Sequence, residues 1–567
     1  MHKELQWTWA ETGPQERIRE LSDTLSIPPV IASILINRGI ETADDAKFYF
    51  RAGLENLHDP FLMADMHKAA DRIVEAVKAG QAIRIYGDYD VDGATSTSLL
   101  ILFFRQLGIS ADFIIPNRIR DGYGVSIEGI EKARDDGIDL LITVDCGITA
   151  NDEVDRGREI GLDIIVCDHH QPAEHLPDAI AVLDPKRPDC PYPFKELAGV
   201  GVAFKLAQAV AMRLGHDMDQ LYSLLDLVAI GSAADIVPLV DENRILVRTG
   251  LEILNSRPNT GLKALLETTR LAGKSLSTGQ VIFVLAPRIN AVGRMGDASH
   301  AVNMFITEDD REALQIAHHL EEENKQRRNI DEETFREACE MIEAHFDPEN
   351  DSVFVLSSEG WHPGVIGIVA SRLVERYYRP TVMISTDDGV GKGSARSVSG
   401  FDIYDALENC SDLMRAFGGH KYAAGLSISS EDIGELRERL EAYAKKQLTP
   451  EMRMRKLKIE ADIRFGEIDG KFLRLIKMME PYGPQNMRPV FSSKGVRVVG
   501  TPGVVGRNHL RLRLFQDGKV FDSIGFNLGD LLHRVQSNPD NLDIAYTIEE
   551  NEWQGRVTTQ LRLKDIH

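Results

Sequence analysis

Leu162-Asp163-Ile164-Ile165-Val166-Cys167-Asp168-His169-His170 is the stretch on which the fold turns. A mostly apolar run reads as a buried strand, and a carboxylate followed by two imidazoles occupies its carboxyl end. Adjacent strand side chains point to opposite faces, so both histidines serve one place only where the strand gives way to a turn. Open α/β sheets hold their ligands at that edge. Two more apolar runs end in the same way. Ile83-Arg84-Ile85-Tyr86-Gly87 leads into Asp88-Tyr89-Asp90-Val91-Asp92-Gly93, and Leu140-Leu141-Ile142-Thr143-Val144 leads into Asp145-Cys146-Gly147. Three strand ends finishing in metal-ligand chemistry point to one site.

Outward from these motifs, residues 80 to about 240 alternate short apolar strands with helices, the pattern of a mostly parallel sheet. Strands are expected at 83–87, 112–115, 138–144, 162–167 and 179–183. Helices are expected at 98–107, 126–135, 151–160, 198–214 and 219–234. Residues 1–50 read as a helical segment with helix starts at Ser22 and Thr42. The charged run 306–345 reads as a long helix with a thin apolar stripe (Leu314, Ala317, Leu320, Phe335, Ala338, Ile342), the texture of a strut between domains. A second α/β unit starts at Val353-Phe354-Val355-Leu356 and continues, through a strand at Thr381-Val382-Met383-Ile384, to about 447. Beyond Pro450, short β-rich runs such as Leu510-Arg511-Leu512-Arg513-Leu514, separated by Gly and Asn turns, suggest a small β-barrel. The expected units are therefore 1–50, 51–250, 251–345, 346–449 and 450–567.

A chain of 567 residues is too long for one hydrophobic core. No apolar run approaches the roughly 20 residues that span a bilayer, and the N-terminus lacks the layout of a signal peptide. Five cysteines without metal spacing read as reduced thiols in a cytoplasmic protein. The net charge of −23 speaks against a polyanion partner only globally. Between Arg488 and Lys519 seven Lys/Arg face one acid, Asp517, a local surface fit for nucleic acid.

The Asp-x-Asp-x-Asp-Gly loop has three readings: a Ca²⁺ loop, a solvated turn, or a catalytic divalent site. A Ca²⁺ loop needs a Glu at its twelfth position; counted from Asp88 that residue is Leu99, and a strand precedes the loop. Three carboxylates within five residues repel one another unless cations neutralise them. Hard oxygen ligands with a minority of His suit Mn²⁺ or Mg²⁺ over zinc. Asp235, after Gly231-Ser232-Ala233-Ala234, adds a candidate at a helix end. So many ligands fit two ions clamping an attacking hydroxide and a phosphoryl oxygen.

Taken in order, Asp88-Tyr89-Asp90-Val91-Asp92-Gly93, Asp145-Cys146-Gly147, Asp168-His169-His170 and Gly231…Asp235 resemble the motifs of the DHH phosphoesterase superfamily. Gly418-Gly419-His420-Lys421-Tyr422-Ala423-Ala424-Gly425 is similar to the substrate-binding motif of the associated DHHA1 domain. Pro116-Asn117-Arg118, Pro287-Arg288-Ile289-Asn290, Ser394-Ala395-Arg396-Ser397 and the barrel tail resemble the branch of bacterial single-strand-specific 5′→3′ DNA exonucleases. The resemblance implies an α/β fold: a parallel-sheet DHH domain joined by a long helix to a smaller α/β DHHA1 domain, plus a C-terminal OB-like β-barrel.

It also implies roles. Asp90, Asp92, Asp145, His169 and Asp235 would ligate two divalent ions, Mn²⁺ or Mg²⁺, with Asp145 bridging them and Asp88 in the same cluster. His170 would act near the scissile phosphate as acid or electrostatic stabiliser. Tyr86 stands where other branches place a ligating His. Arg118, Arg288, Arg396 and Ser397 would hold the 5′ end and its phosphates, where forked guanidinium donors suit phosphate. Asn290, Arg294 and Ser394 belong to the same DNA-binding set, as do Gly419 and His420, where glycine permits close backbone approach. Tyr123 and Trp361 read either as base-stacking platforms or as packing. Arg511 and Arg513 share one strand face, suited to a phosphate track or simply solvated.

The expected activity is metal-dependent release of 5′-mononucleotides from single-stranded DNA, in recombination and repair. The expected partners are single-strand-binding protein and a helicase, with no membrane and a monomeric chain. Two alternatives stand beside it. One is a DHH phosphoesterase acting on pyrophosphate, cyclic dinucleotides or short oligonucleotides, which would not need the barrel. The other is a non-catalytic replication scaffold, against which the intact Asp90, Asp92, Asp145, His169, His170 and Asp235 argue.

Overall fold

A computed structural model describes residues 5–117, 124–553 and 556–567. The chain begins with β1 (Gln6–Trp9) and three helices, α1 (Gln15–Leu25), α2 (Pro29–Asn37) and α3 (Ala43–Arg51). Thr42 caps α3 as expected: its side chain accepts from Asp45 N at 3.1 Å while the Asp45 carboxylate accepts from Thr42 N at 3.0 Å. Ser22 starts no helix; it lies inside α1, and its hydroxyl donates to Ile27 O at 2.6 Å. β1 had no local signal, since its partner is Lys456–Ile459, paired in parallel from the other end of the chain.

The first α/β unit follows: α4 (Met66–Ala79), β2 (Ile83–Gly87), α5 (Val91–Gln106), β3 (Asp112–Ile114), α6 (Ile127–Asp135), β4 (Leu140–Val144), α7 (Asn151–Glu159), β5 (Asp163–Cys167), β6 (Ala181–Leu183) and α8 (Gly199–Leu214). The sheet is wholly parallel, in the order β3-β2-β4-β5-β6. Its faces are both covered. Ile83, Ile85, Ile142 and Ile165 join the core made with α4, α5 and α8, whereas Tyr86, Leu141 and Ile164 pack towards α6 and α7. The expected helix at 98–107 starts seven residues earlier, at Val91. Its polar first half is buried rather than looped, because Thr95 Oγ1 and Ser98 Oγ donate back to Val91 O (2.8 Å) and Ala94 O (2.7 Å). The helix expected over 219–234 breaks at Ser223-Leu224 into α9 (Met218–Tyr222) and α10 (Leu225–Ala234), and α11 (Asp241–Ser256) comes next.

The expected strut is a 36-residue helix, Asp310–His345, capped by Asp309. Its apolar stripe runs through Ala313, Ala317, Leu320, Ala338 and Ile342, while Leu314 is exposed. It leads to a five-stranded mixed sheet, β7 (Phe354–Ser358), β8 (Thr381–Asp387), β9 (Val390–Arg396), β10 (Met414–His420) and β11 (Ala423–Ser429), in the order β10-β11-β9-β8-β7. In the C-terminal unit, strands Phe491–Val498, Leu542–Trp553, Arg556–Ile566, Lys519–Gly525 and His509–Gln516 pair in succession. Arg497 opposite Phe515 then closes the ring into a barrel. The N-terminal helices share its core: Ile31, Ile34 and Leu35 pack with Ile463, Phe472 and Ile476. Among the described residues no helix is long and apolar enough to cross a membrane.

Candidate active site

The strand order places a topological switch between β2 and β4, since the chain leaves β2 for β3 on one side and returns to β4 on the other. Ligands enter such crevices at the carboxyl ends of the strands. Gly87, Val144 and Cys167 stand side by side in register, so Asp88, Asp145 and Asp168 emerge at one edge.

Each acidic side chain is fixed by backbone. Asp90 caps α5, its Oδ1 accepting from Asp92 N (2.9 Å) and Gly93 N (3.1 Å). Asp92, in the first turn, is held by a second helix N-terminus: Gly199 N donates to its Oδ2 at 2.6 Å and Val200 N to its Oδ1 at 2.9 Å. Position 199 has to be glycine, because a Cβ there would lie 2.8 Å from Asp145 Oδ1. Asp145 itself adopts φ +61°, a strained conformation outside glycine, anchored by its N–H to Cys167 O at 3.0 Å. Asp235 caps the C-terminal end of α10.

The DHH motif divides its labour. Asp168, buried, is the orienting group: its Oδ1 accepts from His169 N (2.7 Å), His170 N (3.2 Å) and His170 Nδ1 (2.8 Å), and its Oδ2 from Ile148 N (2.9 Å). His169 Nε2 stands 3.1 Å from Asp145 Oδ1, 3.6 Å from Asp235 Oδ2 and 3.8 Å from Asp92 Oδ2. Burial and the neighbouring His170 charge drive its pKa down to about 3, so the imidazole is neutral, the form that ligates a metal. His170 is different. Burial opposes its charge, but the Asp168 carboxylate wins and holds it up to about 9. The same contact pulls Asp168 down to about 2 against its burial.

The carboxylates around His169 repel one another. Burial and the charges of Asp235 and Asp90 raise Asp92 well above the carboxylate range. Burial and four neighbouring aspartates do the same to Asp145, and burial with Asp90 raises Asp235 to about 7. Asp145 Oδ1 and His169 Nε2 are buried without a hydrogen-bond partner. Three ligand sets have donor atoms within 4.8 Å of one another: Asp145/His169/His170, Asp92/His169/Asp235 and Asp88/Asp90/Asp145. The donor set is oxygen-rich with a minority of imidazole and has orphaned buried atoms. It fits hard divalent cations such as Mn²⁺ or Mg²⁺. Tyr86 is not part of it, being buried on the opposite face among Ile130, Leu141 and Val166.

The residues expected to meet DNA fall into three places. Helix Ala286–Met295 abuts the acidic loop: Asn290 Oδ1 accepts from Val91 N at 3.2 Å, and Arg294 Nη1 reaches Gly364 O at 3.1 Å in the second α/β unit. Arg288 is turned to the long helix, ion-paired with Glu321 and donating to Val284 O at 2.6 Å. In the second sheet, Gly419 pairs with Ala424 and Ala424 with Ala395, so Gly419-His420 and Ser394-Ala395-Arg396 line up across three strands. Arg396 Nη1 donates to Ser394 Oγ (3.0 Å), and Ser397 Oγ to Phe401 O (2.8 Å). Gly419 has φ +145°, and a Cβ there would lie 2.4 Å from Ala423 O. Arg511 and Arg513 lie apart, exposed on one barrel-strand face between buried Leu510, Leu512 and Leu514; Arg513 Nε is 3.4 Å from Asp522. Arg118 and Tyr123 lie outside the described residues. Trp361 packs rather than stacks on a ligand: it is 3% exposed and its indole N–H donates to Glu337 at 3.0 Å. The sequence reading gave Asp168 no role, and the Gly199 and Val200 amides had no local signal because only α8 docking brings them to Asp92.

Residues 82–232 match the DHH family N-terminal domain, residues 350–446 the DHHA1 domain, and residues 459–565 the RecJ OB domain. The single-stranded-DNA-specific exonuclease RecJ of Bacillus subtilis is 39% identical over 561 residues, 97% of this chain and 69% of that one. That of Escherichia coli is 33% identical over 581 residues, covering 97% and 99%. The crystal structure of Thermus thermophilus RecJ in complex with Mn²⁺ matches with a TM-score of 0.85 at 30% identity, covering 99% of this chain and 79% of that one. The Mg²⁺ complex of the same protein gives 0.78 at 28% identity, covering 99% and 78%. With all three units matched in order, and with relatives above 30% identity along nearly its whole length, the chain belongs to the RecJ family.

Proposed function

We propose that this chain is a metal-dependent exonuclease that degrades single-stranded DNA from the 5′ end, releasing 5′-mononucleotides. One observation carries the reading: aspartates from strand ends and helix ends gather around Asp145 and His169, with buried ligand atoms unpaired. Asp90, Asp92, Asp145, His169 and Asp235 would hold two divalent ions, with Asp88 in the same cluster. Once bound, Mn²⁺ or Mg²⁺ supplies Lewis acidity and lowers the pKa of water so that hydroxide is available near neutral pH.

The rest is the work of side chains. His169 stays neutral and so keeps its Nε2 lone pair. His170, held protonated through Nδ1 by Asp168, offers positive charge to the scissile phosphate and a proton to the departing O3′. Ser394, Arg396 and Ser397 with the Gly419-His420 backbone receive the 5′ end, and Asn290 and Arg294 line the approach. Arg511 and Arg513 guide the incoming strand. The same reading assigns catalysis to residues 51–250, connection to 251–345, 5′-end binding to 346–449 and strand binding to 450–567, with 1–50 bracing the barrel. It makes the protein a cytoplasmic monomer working beside single-strand-binding protein and a helicase in recombination and repair.

The deciding measurement compares 5′-labelled, 3′-labelled and duplex DNA with Mn²⁺, Mg²⁺ or EDTA. Immediate release of the 5′ label as mononucleotide, from single strands and only with metal, is expected. First release of the 3′ label would reverse the polarity, and no cleavage under any metal would overturn the reading.

A further inference from the structure

Buried charge lacks an internal partner at a second place. Helix Ala286–Met295, the long helix Asp310–His345 and helix Ile366–Tyr377 pack together beside the acidic loop. At their junction Arg327 is only 9% exposed. Its Nη2 donates to the buried Asn324 Oδ1 at 3.0 Å, and its Nε is buried with no hydrogen-bond partner. One turn further along the helix, Asp331 is shared: Arg372 Nη1 lies 2.9 Å from its Oδ2, its Oδ1 is buried with no hydrogen-bond partner, and the Arg372 guanidinium stacks on Phe335 at 4.0 Å. Arg328, one residue on, is exposed and makes no ion pair among the described residues.

The balance of charge at this junction is positive. Burial depresses the Arg327 pKa; Asp331 opposes that, but Arg328, Arg372 and Arg288 reinforce it. Glu321 neutralises Arg288, while Arg327 and Arg372 share the single carboxylate of Asp331, which leaves the junction, with Arg328, in excess of positive charge. Guanidiniums withdrawn from water in excess of the anions beside them are destabilised until an anion joins them. The junction is also continuous with the 5′-end residues. Gly367, in the third helix, has room for no Cβ because Ser394 Oγ and Arg396 Nη2 would stand 2.9 and 3.0 Å from it.

We infer that this three-helix junction is a second anion subsite, which takes a backbone phosphate of the bound strand away from the scissile bond. Arg327 forms its buried floor, and Arg328 and Arg372 form its sides. A phosphate offers several oxygens to forked donors and supplies the charge the cluster lacks. The inference rests on the single-stranded substrate proposed above, and it adds a contact that only a strand longer than the cleaved nucleotide can make.

The test uses the full chain and Arg327→Gln, with 5′-phosphorylated oligodeoxythymidylates from a dinucleotide to about 20 nucleotides. In EDTA, binding of the longest strand should weaken about tenfold, the loss of one charge-assisted contact. The slope of log Kd against log salt should fall by about 0.7, the release expected for one single-strand phosphate. With Mn²⁺, the ratio of kcat/KM for the long strand to that for the dinucleotide should fall by the same tenfold. Arg328→Gln, on the exposed side, should show the same signs more weakly and carries the test if Arg327→Gln does not fold. Unchanged affinity, salt slope and length dependence would overturn the subsite. Failure of the wild-type chain to bind or cut any single strand would instead overturn the proposed function.

Discussion

Two of the charged clusters buried in the first α/β unit and the helices behind it are built on opposite plans. Behind α8, Lys205 and Glu242 are both fully buried, with Nζ 2.6 Å from Glu242 Oε1. Lys205 also donates to His58 O (2.8 Å) and Gln208 Oε1 (3.2 Å), while Glu242 accepts from His58 N (2.9 Å) and from the Tyr192 hydroxyl (2.5 Å). Opposite charges meet, and both carboxylate oxygens are satisfied. Around His169 the chain gathers like charges and leaves ligand atoms without partners. A buried cluster that neutralises itself is part of the core, whereas one that does not is completed from outside. The contrast separates structure from function more sharply than burial alone.

The most severe way to break the comparison is Asp145→Ala. Turnover should fall by at least a hundredfold, since even partners outside a metal's ligand set cost roughly 10–100-fold. In EDTA the variant should be no less stable than wild type, because it relieves repulsion rather than removing a partner; a large loss of stability would place Asp145 in the core instead. Glu242→Ala should do the reverse. It strands Lys205 and should cost about 3–5 kcal/mol in urea unfolding. The double replacement Lys205→Met with Glu242→Leu should recover most of that loss. If Glu242→Ala proves neutral, the two clusters do not differ as argued.

Metal addition sharpens the difference further. Mn²⁺ at about a hundred times its Kd should stabilise the wild-type fold by about 2.7 kcal/mol, seen as a raised thermal midpoint that EDTA reverses and Asp145→Ala abolishes. His169→Ala should lose most of this shift. His170→Ala should keep more of it while lowering the rate, and equal losses in both would overturn their separate roles. A further effect concerns Asp226, buried on α10, whose carboxyl burial pushes up to about 6 against hydrogen bonds from Leu227 N and Asn259 N. The unfolded chain ionises first, so stability present below the ordinary carboxylate range is lost as pH rises through about 6. The loss is of order 3 kcal/mol, and Asp226→Asn should flatten that part of the pH–stability profile.

Much of this was legible in the sequence because it is local. The periodicity of β2, β4 and β5 and the acidic residues after them placed three ligand-bearing edges within a residue or two. Thr42 was recognisable as a cap from its own tetrapeptide. Misreadings arose where distant chain intervened. The first turns of α5, with Thr95, fell outside the expected helix; they are buried beside α10, where Gly231 faces Thr95 Oγ1. Trp361 stood open between platform and packing, and Glu337, on the long helix, decides for packing by taking its indole N–H.

The sequence by itself determined which strands end in carboxylates and imidazoles, where the long helix runs, and that an alternating basic strand lies near the C-terminus. These follow from side-chain alternation and helical period, which are properties of neighbouring residues. Only the tertiary structure decided that α8 donates two amides to Asp92, that Asp168 orients both histidines, and that Arg288 faces Glu321. It alone joined β1 to Lys456–Ile459 and left Arg327 Nε buried without a hydrogen-bond partner. The reason is physical. A buried polar group takes whatever partner packing brings to it, and packing joins segments whose separation along the chain carries no local signal.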